Sequence, residues 1–518
     1  MKTSVLIVGA GPTGLMAACQ LKRFGVDCII IDSKSGPTIE SRALVVQSRT
    51  LEIYEQMGIS SKAVEDGQTI ERANLIVEGK IARTIPIGEI GKGLSPFPFL
   101  LVYEQFKNEK LLLEHLKSLG GDVWWNTKLA ELSQNDNEVN AVVEKKGEQI
   151  KIQAGYVIGA NGAKSAVRHQ LDFTFTGGTY ENIFFVADTE AEWDFGYEQL
   201  FLCISKNTFS GMFAMKGYHR FRLIGIMPKD FQNSDNVTLD EIEQEVVSKM
   251  GVNVDFKNTS WFSIYRLHHR CVDSFSKGRV FLAGDAAHIH SPVGGQGMNT
   301  GLQDVYNLAW KLAYVIKGVA SPKLLDTYNE ERLPFAKRLV RTTDRMFSFV
   351  TSENIIIEFL RVKLLPPLSG ILLKRGFFRK FMFMTVSQIG IEYRNRSLSL
   401  NGGNDFLKDA PEPGDRTPYV FLHHNGNRVS IYELLKETRF HLLIFDDEAE
   451  INGFESEFVK VIYVRDRNKN TETYKKFGVK NKGVFLIRPD NYIGFRSSNV
   501  SSQEIKKYLS GRAHFNSV

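Results

Sequence analysis

A short apolar strand, Thr3-Ser4-Val5-Leu6-Ile7-Val8, runs straight into Gly9-Ala10-Gly11-Pro12-Thr13-Gly14 and then into the helical run LMAACQLKRFG. A second strand, VDCIIID, follows and ends at Asp32. Few folds accept this spacing. Among Gly9, Gly11 and Gly14, one glycine permits the tight turn, one admits a pyrophosphate, and one lets helix pack on strand. The acid is placed to accept from a ribose hydroxyl. The pattern predicts a βαβ unit that holds an adenine dinucleotide, without separating FAD from NAD.

Two further stretches repeat the theme. In residues 278–317 the strand Val280-Phe281-Leu282-Ala283 leads to Asp285, then to Gly294, Gly295 and Gly297, then to a helix. Leu302, Val305, Leu308, Leu312 and Val315 give that helix one apolar stripe. Its N-terminus offers unpaired N–H groups to an anion or a polarised ring. Between the two lies Gly155-Tyr156-Val157-Ile158-Gly159-Ala160-Asn161-Gly162, again a strand and a small-residue turn, running on to Arg168 at a helix start.

Together the three elements resemble the class A FAD-dependent monooxygenases, the aromatic-ring hydroxylases, and within them the phenol-type and aromatic-polyketide hydroxylases. The likeness spans nearly the whole chain. Ser41-Arg42-Ala43-Leu44 resembles the family's stretch after the second strand, and Gln105 its flavin-contacting glutamine. Ile391-Glu392-Tyr393-Arg394 and Pro413-Gly414-Asp415-Arg416-Thr417-Pro418 resemble the junction into its C-terminal domain. One position departs: Asn161-Gly162 stands where the family has Asp-Gly. Asn keeps hydrogen-bonding capacity and removes a charge, so FAD binding should survive and flavin reduction should change, unless the position is simply tolerant.

The resemblance implies an α/β fold: a Rossmann-like FAD-binding domain, an inserted β-sheet substrate domain, and a thioredoxin-like C-terminal domain. The expected boundaries are 1–176 and 266–400 for the FAD-binding domain with a helical region, 177–265 for the substrate sheet, and 410–518 for the last domain. The length of 518 residues fits several domains. All four cysteines, Cys19, Cys28, Cys203 and Cys271, precede residue 410, so that domain has no CxxC chemistry. They lack zinc spacing and suit a reduced, cytoplasmic protein. The net charge of +6 is mild, and no basic block with interleaved aromatics suggests nucleic acid.

Residues 346–390 mix apolar and basic positions, and Pro366 and Pro367 interrupt them. No stretch reaches a transmembrane length. Packing on the FAD domain or a homodimer interface is the expected use, with a membrane-surface role as the minor alternative. Ser501-Ser502-Gln503-Glu504 reads as a capping box for a final helix.

By resemblance, NAD(P)H, with NADPH favoured, reduces the flavin. O2 then adds at flavin C4a, and the hydroperoxide hydroxylates an aromatic or polyketide-like small molecule. Expected cofactor-binding residues are Gly9, Gly11, Gly14, Asp32, Arg42, Gln105, Asn161, Asp285, Gly297, Met298 and Asn299, the last three as backbone donors. Gln47, Phe213, Tyr265 and Pro292 are the substrate candidates. Tyr265, His268 and His269 are residue types that could assist deprotonation of a phenol, but core or surface roles suit each better, and no catalytic base is assigned. His288 and His290 have no further ligands near them, so no metal is expected. A flavin dehydrogenase or reductase and a non-catalytic FAD-dependent sensor stay open as alternatives.

Overall fold

The computed structural model of the chain describes residues 1–39, 41, 43–205, 208–231, 237–292, 294–352, 354–451 and 453–517. The first sheet has a parallel centre. Lys2–Val8 pairs with Cys28–Ile31 on one side and Glu148–Gly159 on the other, and Val280–Leu282 adds beyond the latter. The three glycine-bearing turns therefore leave the same end of adjacent parallel strands, where open α/β sheets place their ligands. Helices Pro12–Arg23 and Gly297–Ile316 cover it. The second of these is buried nearly all round, with Leu302, Val305, Leu308 and Leu312 fully enclosed, so the stripe seen in the sequence is only part of its apolar surface.

A second sheet runs in the order His288–Ile289, Val254–Val272, Phe175–Trp193, Arg220–Ile226, Thr208–Ala214, Leu200–Ser205, Arg72–Val77, Lys80–Pro86. Its two last strands come from far upstream, through parallel pairing of Leu200 with Ala73. One face, with Phe185, Ala187, Met212 and Leu223, packs on helix Leu239–Met250. The other face carries Phe184, Val186, Asp188, Phe213, Arg222 and Tyr265, aligned by cross-strand register. Phe347, on the long helix Asp326–Thr351, closes its Tyr265 end by meeting Phe184 at 5.2 Å between ring centroids.

The C-terminal sheet pairs Phe440–Phe445 parallel to Val459–Tyr463 and antiparallel to Gly483–Ile487, which continues to Ile493–Ser497. This is the mixed sheet of a thioredoxin-like domain. Ser501 caps the last helix by accepting from the Glu504 N–H, but the Glu504 carboxylate turns away to Ser497 Oγ at 2.8 Å, so only half of the expected capping box forms. Buried ion pairs fasten this domain to the first. Arg488 meets Glu331 of helix Asp326–Thr351, its Nη2 3.0 Å from Oε2, while its Nε donates to Asp490 at 3.0 Å. Lys311 joins from helix Gly297–Ile316, its Nζ 2.8 Å from Glu331.

Candidate functional site

The three glycine turns touch one another. Gly9 has φ +107°, and a Cβ there would lie 2.5 Å from the Ala160 carbonyl oxygen and 2.7 Å from Asn161 Cα. A Cβ on Gly14 would lie 1.8 Å from the Gly9 oxygen. Gly11, by contrast, faces open space. Two glycines thus serve close packing and the third leaves a cradle at the start of helix Pro12–Arg23, as a pyrophosphate requires. Asp32 holds the cradle in shape: the Ala10 N–H donates to its Oδ2 at 2.6 Å and the Lys34 N–H to its Oδ1 at 2.9 Å.

Thr13 links the first turn to the third. Its Oγ1 would lie 2.7 Å from a Cβ on Gly284 and 2.5 Å from one on Gly301. Asp285 sits exposed on the short 3-10 turn Gly284–Ala286. That turn is braced from below. Asp304 Oδ2 accepts from the Gly284 N–H at 3.0 Å and lies 2.8 Å from His288 Nε2, and Arg332 Nε donates to its Oδ1 at 2.8 Å. Burial would raise the Asp304 carboxyl, but Arg332 and His288 hold it below its ordinary value. Arg168 reaches across from the middle turn and donates to the Ala286 carbonyl at 3.1 Å. Asn161 Oδ1 accepts from Ser165 Oγ at 2.5 Å, and Ser165 in turn caps the helix Ala166–Gln170.

The loop before helix Gly297–Ile316 is clasped by side chains. Asn299 Nδ2 donates to the Val45 and Gly295 carbonyls at 2.8 and 2.9 Å, while its Oδ1 accepts from the Gln47 N–H and the Thr50 hydroxyl at 2.9 and 2.8 Å. Gln47 Nε2 donates to the Gly294 carbonyl at 2.9 Å. Both residues therefore build the loop, Gln47 from the N-cap position of helix Ser48–Met57. Among the described residues none accepts from the N–H of Gly297, Met298 or Asn299, which leaves the helix N-terminus open to a ligand. The Pro292 carbonyl already accepts from the Gly295 N–H at 2.9 Å. Gln105 Oε1 accepts from the Ala43 N–H at 3.1 Å and its Nε2 donates to Glu109 at 2.9 Å. Arg42 lies outside the described residues.

Phe213 and Tyr265 share the sheet face opposite helix Leu239–Met250. Burial pushes the Tyr265 phenol up to about 12, with Arg222 pulling against it. On the same face Arg222 donates to Asp188 through Nε and Nη2 at 2.6 and 2.7 Å and lies over Trp261. Its guanidinium is fully enclosed, and Nη1 has no partner among the described residues. His268 bonds Thr179, and His269 meets Tyr180 in a tilted ring contact at 4.9 Å between centroids. His290 keeps its Nδ1 on the Ser291 carbonyl at 2.7 Å, and desolvation with neighbouring His288 pushes it down to about 4, so it stays neutral. Sequence reasoning missed Thr13, Arg168, Asp304 and Arg222, none of which stands out without the fold.

A family model described as FAD binding domain matches residues 2–343, and one described as aromatic-ring hydroxylase, C-terminal, matches residues 410–511. A flavin-dependent monooxygenase of Mycobacteroides abscessus is 30% identical, covering 98% of this chain and 99% of its own. The 6-methylpretetramide 4-monooxygenase of Streptomyces rimosus is also 30% identical, over 98% of this chain and 92% of its own. The solved structure of aklavinone-11 hydroxylase with FAD and aklavinone superposes with a TM-score of 0.80 at 22% identity, over 99% of each chain.

Proposed function

The chain belongs to the FAD-dependent aromatic-ring hydroxylases, and from that premise we propose that it hydroxylates a fused, multi-ring phenolic small molecule, with O2 as oxidant and NADPH as reductant. It is an FAD-dependent monooxygenase. The residues present suit the cofactor: Gly9, Gly11, Gly14 and Asp32 would hold its pyrophosphate and ribose side, with Asn161 and Asp285 beside them. The open N–H groups of Gly297, Met298 and Asn299 would meet its ring. Bound FAD supplies the redox chemistry that activates oxygen. The chain's own part is to shape, orient and dry the chamber.

One observation carries the substrate class. Tyr265 and Arg222 mark two ends of one sheet face, offset by four residues along the paired strands. That is about 13 Å of chamber wall at strand rise. Val186, Ile224 and Phe213 lie between them or beside Arg222, so the wall is apolar with a polar group at each end. A single ring would span too little of it. Tyr265, held protonated, would donate to a substrate oxygen at one end, and Arg222 Nη1 to an oxyanion or carbonyl at the other. Its relatives include both a pentachlorophenol 4-monooxygenase and a 6-methylpretetramide 4-monooxygenase, and the length of the wall favours a substrate of the larger kind. Cys19, Cys28, Cys203 and Cys271 are free thiols, which suits the cytoplasmic setting we propose.

The test is aerobic turnover of the FAD-loaded protein with NADPH, or NADH in parallel, against phenols of increasing ring number under isotopically labelled O2. Product gaining one labelled oxygen, with coupling that rises with ring number, is the expected result. Product without labelled oxygen would favour a dehydrogenase, and best coupling to single-ring phenols would refute the substrate class.

A further inference from the structure

Residues 346–390 are expected to pack on the FAD domain or to form a homodimer interface, and in the structure much of the apolar surface between Ile355 and Val386 faces out. Of the seventeen large hydrophobics exposed among the described residues, eleven lie from Met346 to Val386, so the exposure is concentrated in one segment of the chain and is not scattered along it. The helix Gly376–Val386 shows how it is built. Phe383 points inward against Gly91, where a Cβ would come within 2.5 Å of its ring, and packs with Ile90 and Ile389. Phe377 and Phe381, one turn apart, point outward at 85% and 59% exposure. Ile355, Ile356 and Phe359 are likewise exposed on the helix Ile355–Phe359 of the same segment.

Charge decides what covers it. From 355 to 386 the sequence holds six basic residues and one acid, Glu358. Lys374, Arg375 and Lys380 are exposed beside the outward phenylalanines, while Lys363 is tied to Glu78 at 3.0 Å and Arg361 is buried. A second copy docking through a two-fold axis would set this patch against itself and bring like charges together. An anionic bilayer surface matches both features: aromatic and aliphatic side chains enter the headgroup boundary, and basic side chains meet lipid phosphates. Among the described residues no helix is long and apolar enough to cross a membrane, so any attachment by this face is peripheral.

We propose that residues 355–386 form a docking face for an anionic membrane surface. The face lies outside the glycine turns and the chamber wall, so it stands or falls apart from the hydroxylase reading.

The FAD-loaded full chain is floated with vesicles of phosphatidylcholine alone or containing phosphatidylglycerol, and its mass is measured in their absence. The expected result is flotation with the anionic vesicles that falls as salt rises. The exposed double variant Phe377→Ser/Phe381→Ser should lose at least about tenfold in partition. Each of Lys374→Ser, Arg375→Ser and Lys380→Ser should lose up to about fivefold, on anionic vesicles only. FAD content and melting temperature report that the variants fold. Equal binding of wild type and double variant, or no binding to either vesicle, overturns the proposal. So does a dimer, without vesicle binding, that the double variant dissolves, because the face would then be a self-association surface.

Discussion

Arg222 and Asp188 form a two-pronged ion pair across adjacent strands, at 2.6 and 2.7 Å, and leave one guanidinium nitrogen, Nη1, without a partner among the described residues. Asp188 fixes the plane of the fork, so the remaining donor is aimed before any substrate arrives. Arg222→Gln keeps a donor but loses charge and fork geometry. It is expected to lower kcat/KM for the best phenolic substrate by roughly tenfold to a hundredfold, mostly through KM. Steady-state kinetics check this. An unchanged KM would place Arg222 in the framework alone.

Tyr265 is held protonated well beyond neutrality, its phenol at about 12 through burial. It therefore acts as a donor and is no base at physiological pH. The kcat/KM profile of the wild type should show no alkaline limb from Tyr265 below about pH 10. Tyr265→Phe should leave the profile's shape intact while lowering its height. A basic limb that vanishes in Tyr265→Phe would contradict this.

Gly301→Ala drives a methyl into Thr13 Oγ1, which would lie 2.5 Å away. Overpacking of this kind costs about 1–3 kcal/mol. The variant should bleach during purification as FAD is lost. Thr13→Ala removes the oxygen it strikes, so the double variant should regain flavin, read from the absorbance ratio at the flavin and protein bands. Gly284 Cα is also close, at 3.0 Å, so the rescue should be partial.

Asn161→Asp restores the charge that the family carries at the middle turn. Ser165 Oγ can donate to either side chain, so the local fold should hold and FAD should stay bound. The expected change is in the rate of NADPH-driven flavin reduction, measured anaerobically by stopped flow. An unchanged rate would mark the position as tolerant.

Burial pushes the Glu331 carboxyl up, but Arg488 and Lys311 reverse this and hold it at about 2. The folded acid is thus depressed below its unfolded value. Its stabilising contribution is complete above about pH 4.5 and fades as pH falls toward 2. Glu331→Gln leaves Lys311 without its carboxylate partner and Arg488 with Asp490 alone in a dry interior, at a cost of about 3–5 kcal/mol. Its melting temperature should drop sharply at neutral pH and fall less than the wild type's on acidification.

Much of this site is visible in one dimension because its parts are local. Gly9, Gly14 and Asp32 belong to one βαβ unit, and their spacing states their job. The Asp285 turn and the helix behind it are equally compact. Other features exist only in register. Asp188 and Arg222 meet because two strands pair antiparallel, and no periodicity marks either residue. The sequence offers Asn299 as a backbone donor and gives no sign that its side chain makes four bonds, to segments about 250 residues upstream and to the adjacent loop. Gln47 likewise serves the loop. The strand Arg72–Val77 joins the substrate sheet through a parallel pairing with Leu200–Ser205 that hydrophobic patterning cannot foresee.

The Glu331–Arg488–Asp490 knot has an engineering consequence. The long helix Asp326–Thr351 and the C-terminal domain share one set of counter-ions, so neither part is modular. Chimeras that graft the tail of one hydroxylase onto the head of another should misassemble unless the acid and the arginine are transplanted as a couple.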